Sequence, residues 1–230
     1  MKKYFSSKHS FAIRWFHWVN VPLIFIMIWS GTLIYWANPV YKFELGNEVL
    51  FKFYPPAFFK ALNIPHRLAE GMAYHFSFMW LFFLNGLLYC SYMMFSGQWR
   101  HLLPGKRSPL NALKVVLYDL RIIRTKPSQG KYNDAQRIAY SGIIFLGFLE
   151  ILSGLAIFKP VVFTPLTTLL GGYESARRIH FVITILFLVF FLVHVLQVIF
   201  AGWNNFRAMI TGWEIRTKDP NENKDEPKTT

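Results

Sequence analysis

The chain has 230 residues, 53% of them hydrophobic and 19% aromatic, and its formal charge is +13. That composition is too apolar and too aromatic for an ordinary soluble domain. The single cysteine, Cys90, excludes an intrachain disulfide, a Cys-x-x-Cys-His attachment and a cysteine-ligated cluster, so any metal must find other ligands.

Four stretches of about 20 residues carry almost no charge, the length that crosses a bilayer as a helix. They are roughly 16–36, 75–95, 138–158 and 179–202. The expected fold is an all-α integral membrane protein, a four-transmembrane-helix bundle within residues 1–212. Lipid leaves no water to satisfy exposed backbone groups, so the bundle must be closed. The segment before the first span carries Lys2, Lys3, Lys8 and Arg14 and no acid. The first helix runs from near Phe11 to Trp36, with Trp15, Trp18, Tyr35 and Trp36 at the two interfaces. It is longer than a signal-peptide core and lacks a small-residue cleavage site, so it reads as a retained helix. Residues 38–65 form an outer loop rich in aromatics and prolines, which is expected to cap the bundle, with a seat on the headgroups or a partner surface as the alternatives.

The second helix ends near "FSGQWRHLLPG". The connection 97–137 holds Arg100, Lys106, Arg107, Lys114, Arg121, Arg124, Lys126, Lys131 and Arg137 against Asp119 and Asp134. The positive-inside rule therefore places both termini and this connection in the cytoplasm. Because the charge follows the topology and forms no separate domain, nucleic acid is not a partner. Ser108-Pro109 opens an amphipathic helix over about 109–124, with Leu113, Val116, Leu117 and Leu120 at helical spacing. It is expected to lie on the cytoplasmic surface, with a docked helix as the alternative. "KPSQGKYND" turns into the third helix, whose one charge is Glu150, and "LLGGYESARR" leads into the fourth. Residues 213–230 read as a polar, disordered cytoplasmic tail. No internal repeat is visible.

The seven histidines carry the chemistry. A histidine inside a membrane helix is a functional candidate by default. His180 and His194 stand fourteen residues apart on the fourth helix. At 100° per residue they differ by only about 40° in direction, and the rise between them is about 21 Å. One helix face thus offers an imidazole near each membrane surface. His17 enters from the cytoplasmic side at the depth of His194. His75 enters from the outer side at the depth of His180. The pairs His17–His194 and His75–His180 are the bis-histidine axial ligation expected of two b-type haems. His66 competes with His75, but nine residues separate them, so on one helix they point about 180° apart. His9 and His101 lie in polar contexts. Four-histidine zinc fails because the ligands sit at two levels about 21 Å apart. A histidine relay with Glu150 would not require equal depths. Arg14 near one haem, and Arg178 with Arg177 and Arg67 near the other, are candidate partners for haem propionates. Gly31, Gly86, Gly142, Gly147 and Gly154 would allow close approach of macrocycle and backbone.

The segments "RWFHW", "AYHF" with "LNGLLY", "GKYNDAQRIAY", "GGYESARRIHF" and "FLVHV" resemble the bacterial cytochrome b561 and hydrogenase-type b-cytochrome superfamily. Within it they are most similar to the thiosulfate-reductase-type cytochrome b subunits. The resemblance covers Arg14 to Gly212. It implies that His17, His75, His180 and His194 are the haem ligands. It also implies an electron-transfer subunit of the bacterial inner (plasma) membrane, linking the quinone pool to a periplasmic molybdopterin or hydrogenase-like oxidoreductase. Quinone chemistry is expected at the cytoplasmic face, near His17, Asn20, Tyr132 and Arg137. The long 38–65 loop and Glu150 depart from the family pattern, which leaves the partner and any proton route open. Two other readings compete. One is a self-sufficient oxidoreductase of superoxide or ferric type that exchanges electrons with quinone. The other is a haem-free anchor or channel.

Overall fold

A computed structural model describes residues 3–37, 40–53, 55–119, 121–125 and 132–217. The tail residues 218–230 and residues 126–131 of the turn before the third long helix lie outside the described residues. In chain order the elements are β1 (Lys3–Ser7), α1 (Phe11–Tyr35), β2 (Lys42–Leu45), β3 (Glu48–Lys52), α2 (Pro56–Ala61) and α3 (Leu68–Phe95). They continue with α4 (Trp99–Leu102), α5 (Ser108–Asp119), α6 (Asp134–Phe158), α7 (Thr164–Leu169), α8 (Tyr173–Ala201), α9 (Trp203–Thr211) and β4 (Trp213–Thr217).

Helices α1, α3, α6 and α8 have 25, 28, 25 and 29 residues and are each apolar enough to cross a membrane. At 1.5 Å per residue each exceeds a hydrocarbon core of about 30 Å. Most of these helices start several residues before the charge-free stretches do. A charge-free stretch marks only the hydrocarbon portion, whereas the helix continues into the headgroup layer, where polar residues are tolerated. At α6 the start is explicit. The Asn133 side chain accepts from the Gln136 N–H and the Gln136 side chain accepts from the Asn133 N–H, a capping box. The burial pattern is that of a protein solvated by lipid. Ser30, Ser153, Ala156 and Ala176 are at most 1% exposed, while Phe95 and Phe200 are 93% and 80% exposed. Small residues lie where helices meet, and large apolar ones face outward.

The described residues form two compact units, one from residues 3–19 with 191–217 and the other within residues 20–190. In the larger unit, Gly71 of α3 lies against α1: a Cβ there would stand 2.7 Å from Leu33 Cβ and 3.0 Å from the Ser30 carbonyl oxygen. The β2–β3 hairpin leaves Phe43, Leu45, Leu50 and Phe51 exposed. Its flanks turn inward. Tyr41 packs on Tyr35 and Phe181 at centroid distances of 4.6 and 4.9 Å, and Phe53 on Phe181 at 4.9 Å. The Arg177 guanidinium lies over the Tyr41 ring. Burial pushes the Tyr41 phenol above its ordinary value, and Arg177 partly offsets this. Helix α5 packs along α6. Ser108 Oγ donates to Asp134 Oδ1 at 2.5 Å and Asn111 Nδ2 to Asp134 Oδ2 at 2.8 Å, and Val115 is buried. Leu113 and Val116 remain exposed, an apolar edge available to lipid.

In the smaller unit, residues 213–217 form a strand where the sequence alone reads as the start of a polar tail. Gly212 caps α9 in the left-handed conformation, with φ 90°. The chain then runs back as β4, antiparallel to β1, with Tyr4 opposite Arg216 and Phe5 opposite Ile215. Charged pairs hold the strand in place: Glu214 meets Lys8 at 2.7 Å and also Arg216. Burial pushes the Glu214 carboxyl up, but hydrogen bonds and charge from Lys8 and Arg216 outweigh it and leave the carboxyl below its ordinary 4.5. A depressed carboxylate stabilises the fold fully above its unfolded value and loses that contribution as pH falls through the folded one. Amide protection of β1 and β4, corrected for intrinsic exchange, is therefore expected to fall as the pH drops below the ordinary 4.5. Glu214→Gln should abolish that dependence.

Candidate functional site

Two pairs of histidines come together. In the larger unit, the His75 ring of α3 and the His180 ring of α8 have centroids 6.2 Å apart with planes at 76°. In the smaller unit, His17 of α1 and His194 of α8 also stand 6.2 Å apart, with planes at 56°. Neither pair stacks. Two imidazoles bound on opposite sides of one metal ion, through nitrogens about 2 Å from it, have ring centres roughly 6.4 Å apart. Both separations match that arrangement. Among the described residues no three His, Cys, Asp or Glu side chains converge to hold a metal. A zinc cage, which needs three or four protein ligands, is therefore not available there. Two facing imidazoles with no third protein ligand would suit haem, which His75 with His180, or His17 with His194, would then hold.

The surroundings of His75 and His180 repeat each other. Ser30 Oγ lies 3.0 Å from His75 Nδ1, and Ser153 Oγ lies 3.0 Å from His180 Nδ1. Each serine is followed by a glycine lying against the same ring. A Cβ on Gly31 would stand 3.7 Å from His75 Cε1, and one on Gly154 would stand 3.4 Å from His180 Cε1. The serines were not singled out from the sequence. Their signal is a Ser-Gly pair within an apolar span, which becomes informative only once the facing helix is known.

Glu150 of α6 lies at the edge of this pair. Its Oε1 accepts from Thr184 Oγ1 at 2.9 Å and is 3.4 Å from His180 Nε2, while Oε2 is buried without a hydrogen-bond partner. His66 is placed elsewhere. It is exposed, stacks on Trp36 at 4.3 Å and meets the edge of Phe59. His101 is exposed on α4.

The candidate propionate partners differ. Arg14 is already engaged, its Nη1 donating to the Ile210 carbonyl at 2.6 Å, and its Nε is buried without a partner. Arg178 is exposed, and Arg177 pairs with Glu174 at 3.6 Å. Of the residues proposed for quinone, Asn20 accepts at Oδ1 from Asn85 Nδ2 at 2.8 Å. Tyr132 meets the Tyr140 ring edge-on at 5.5 Å. Arg137 Nε is buried without a partner. Tyr89 stands one turn along α3 from Asn85. Burial pushes the Tyr132 phenol above its ordinary value, so it stays protonated and able to donate.

Residues 8–212 match the family model of prokaryotic cytochrome b561. A curated relative from Azospira oryzae, named "Putative protein-methionine-sulfoxide reductase subunit YedZ1", is 35% identical over 201 residues. The match covers 86% of this chain and 93% of that protein. With this family match over residues 8–212 and four helices long and apolar enough to cross a membrane, the chain belongs to the prokaryotic cytochrome b561 family of membrane haem proteins.

Proposed function

We propose that the chain is a dihaem b-type cytochrome subunit of the bacterial inner membrane. In this reading it carries electrons between the quinone pool and a periplasmic oxidoreductase, with both termini in the cytoplasm. The observation that carries the reading is the pair of matched imidazole separations, 6.2 Å at each of two places. His75 and His180 hold one haem and His17 and His194 the other. Bound haem supplies one-electron exchange without proton transfer of its own.

The protein's part is to hold and shield these groups. Small and apolar residues exclude water around the rings, which keeps the local dielectric low. At the cytoplasmic end, the Asn20–Asn85 amides, the Tyr132 phenol and Arg137 offer donors that could orient a quinone head group, with α3 linking the amides to Tyr89. At the outer end, Tyr41 and Phe53 close over Phe181, next to His180, and the Arg177 charge is shared with Tyr41 and Glu174. This cover favours transfer to a docked protein over direct attack by superoxide or a ferric chelate. The relative's name, a reductase subunit, supports an oxidoreductase as that partner.

The test is anaerobic addition of a short-chain quinol to the purified protein, followed through the visible haem bands. The bands are expected to become reduced, and Tyr132→Phe with Arg137→Ala should slow the reduction by 10-fold or more. Bands that ignore quinol but respond to superoxide or a ferric chelate would instead support the self-sufficient oxidoreductase.

A further inference from the structure

The two serines beside His75 and His180 permit a proton count. A serine hydroxyl carries one hydrogen. Ser30 Oγ lies 3.1 Å from the Met27 carbonyl oxygen, and Ser153 Oγ lies 2.8 and 3.2 Å from those of Leu149 and Glu150, acceptors that can take this hydrogen. With the hydrogen given to a carbonyl, each hydroxyl oxygen accepts from the histidine Nδ1 at 3.0 Å. That assignment places the hydrogen on Nδ1 and leaves the lone pair on Nε2. The nearest competitor for a hydrogen on Nε2 is Glu150 Oε1 at 3.4 Å, beyond the usual hydrogen-bond range of about 2.7–3.2 Å.

The same device is built twice, on α1 and on α6. In each case a carbonyl three residues before the serine lies within reach of its hydroxyl, Met27 for Ser30 and Glu150 for Ser153, and a glycine follows the serine. His17 differs: its Nδ1 is buried with no hydrogen-bond partner.

We infer that Ser30 and Ser153 are positioning residues that fix His75 and His180 as Nε2 ligands, and that this support makes theirs the lower-potential of the two haem sites. An imidazole that donates its second N–H becomes a stronger electron donor to iron, which favours the oxidised metal. Both ligands of this pair have the support, and at least one ligand of the other pair does not. The inference rests on the dihaem reading above.

The test is a spectroelectrochemical titration of the purified full-length protein alongside Ser30→Ala, Ser153→Ala, the double variant and Ser153→Thr. A His17→Ala chain identifies which redox wave belongs to which pair. The wild type is expected to show two waves, with His75–His180 the lower. Each alanine variant should shift the lower wave upward and leave the other in place. The double variant should shift it further and lose that haem roughly 10-fold faster on dilution. Ser153→Thr, which retains the hydroxyl, should restore both properties. Should an alanine variant fail to fold, the Ser153→Thr chain and the wild-type order of the waves still decide the matter. Unmoved waves with full haem content would make the serines packing groups only and overturn the inference. So would assignment of the upper wave to His75–His180. A single wave of one haem in the wild type would instead overturn the dihaem reading itself.

Discussion

His180→Ala is expected to yield a folded membrane protein that retains one haem per chain and has lost the other. His180 supplies one of the two rings that face each other at 6.2 Å, and its Nδ1 is held by Ser153. In the dihaem reading, removing it would leave His75 as that haem's single protein ligand, so haem should be lost during purification. The other pair draws on different histidines, His17 and His194, and its bands should persist. His194→Ala should give the complementary result, and the double variant should show no haem bands. The control is His66→Ala. His66 is exposed and stacked on Trp36, so its loss should leave both haems bound. Pyridine haemochrome quantification against protein concentration reads all four variants. Haem bands at full intensity in the His180→Ala, His194→Ala double variant would remove the basis of the ligand assignment.

The second large effect is expected at Gly71, one turn before His75 on α3. A methyl group there would meet Leu33 Cβ at 2.7 Å and the Ser30 carbonyl oxygen at 3.0 Å. Both obstacles are rigid: one is a side-chain carbon at the backbone, the other the backbone itself. Helix α3 must therefore move away from α1, at an overpacking cost of about 1–3 kcal/mol. Gly71 and His75 are four residues apart and share a face of α3. The displacement should therefore pull His75 off Ser30 and weaken haem binding at that pair alone. Gly71→Ala is expected to lower the thermal midpoint in detergent and to reduce haem content at one site. Gly86→Ala on the same helix meets nothing within 4 Å and should change neither. Equal behaviour of the two variants would mean that the α1–α3 approach is looser than described.

Much of this architecture was legible before any coordinates. Four charge-free stretches imply four helices because lipid solvates only apolar side chains. The shared face of His180 and His194 follows from helical periodicity alone, since fourteen residues is nearly a whole number of turns. What could not be read is what depends on a second element. Ser30 and Ser153 look like any small residue in a membrane helix until the facing histidine is known. Asp134 looks like one more surface acid, yet it accepts from both Ser108 and Asn111 and fastens α5 to α6. Strand β4 was hidden for a similar reason. Its partner β1 lies about 200 residues away in sequence, and its charges read as solvated tail residues rather than as partners of Lys8. Local composition describes a segment's preference for water or lipid, and it is silent on pairings made across the chain.

The haem-to-chain ratio of the purified wild-type protein tests the central claim most directly. Two histidine pairs, each spaced to hold one iron, predict two b-type haems per chain, both low-spin and both reducible. A ratio of one, or a colourless protein that is nonetheless folded in the membrane, would contradict the account.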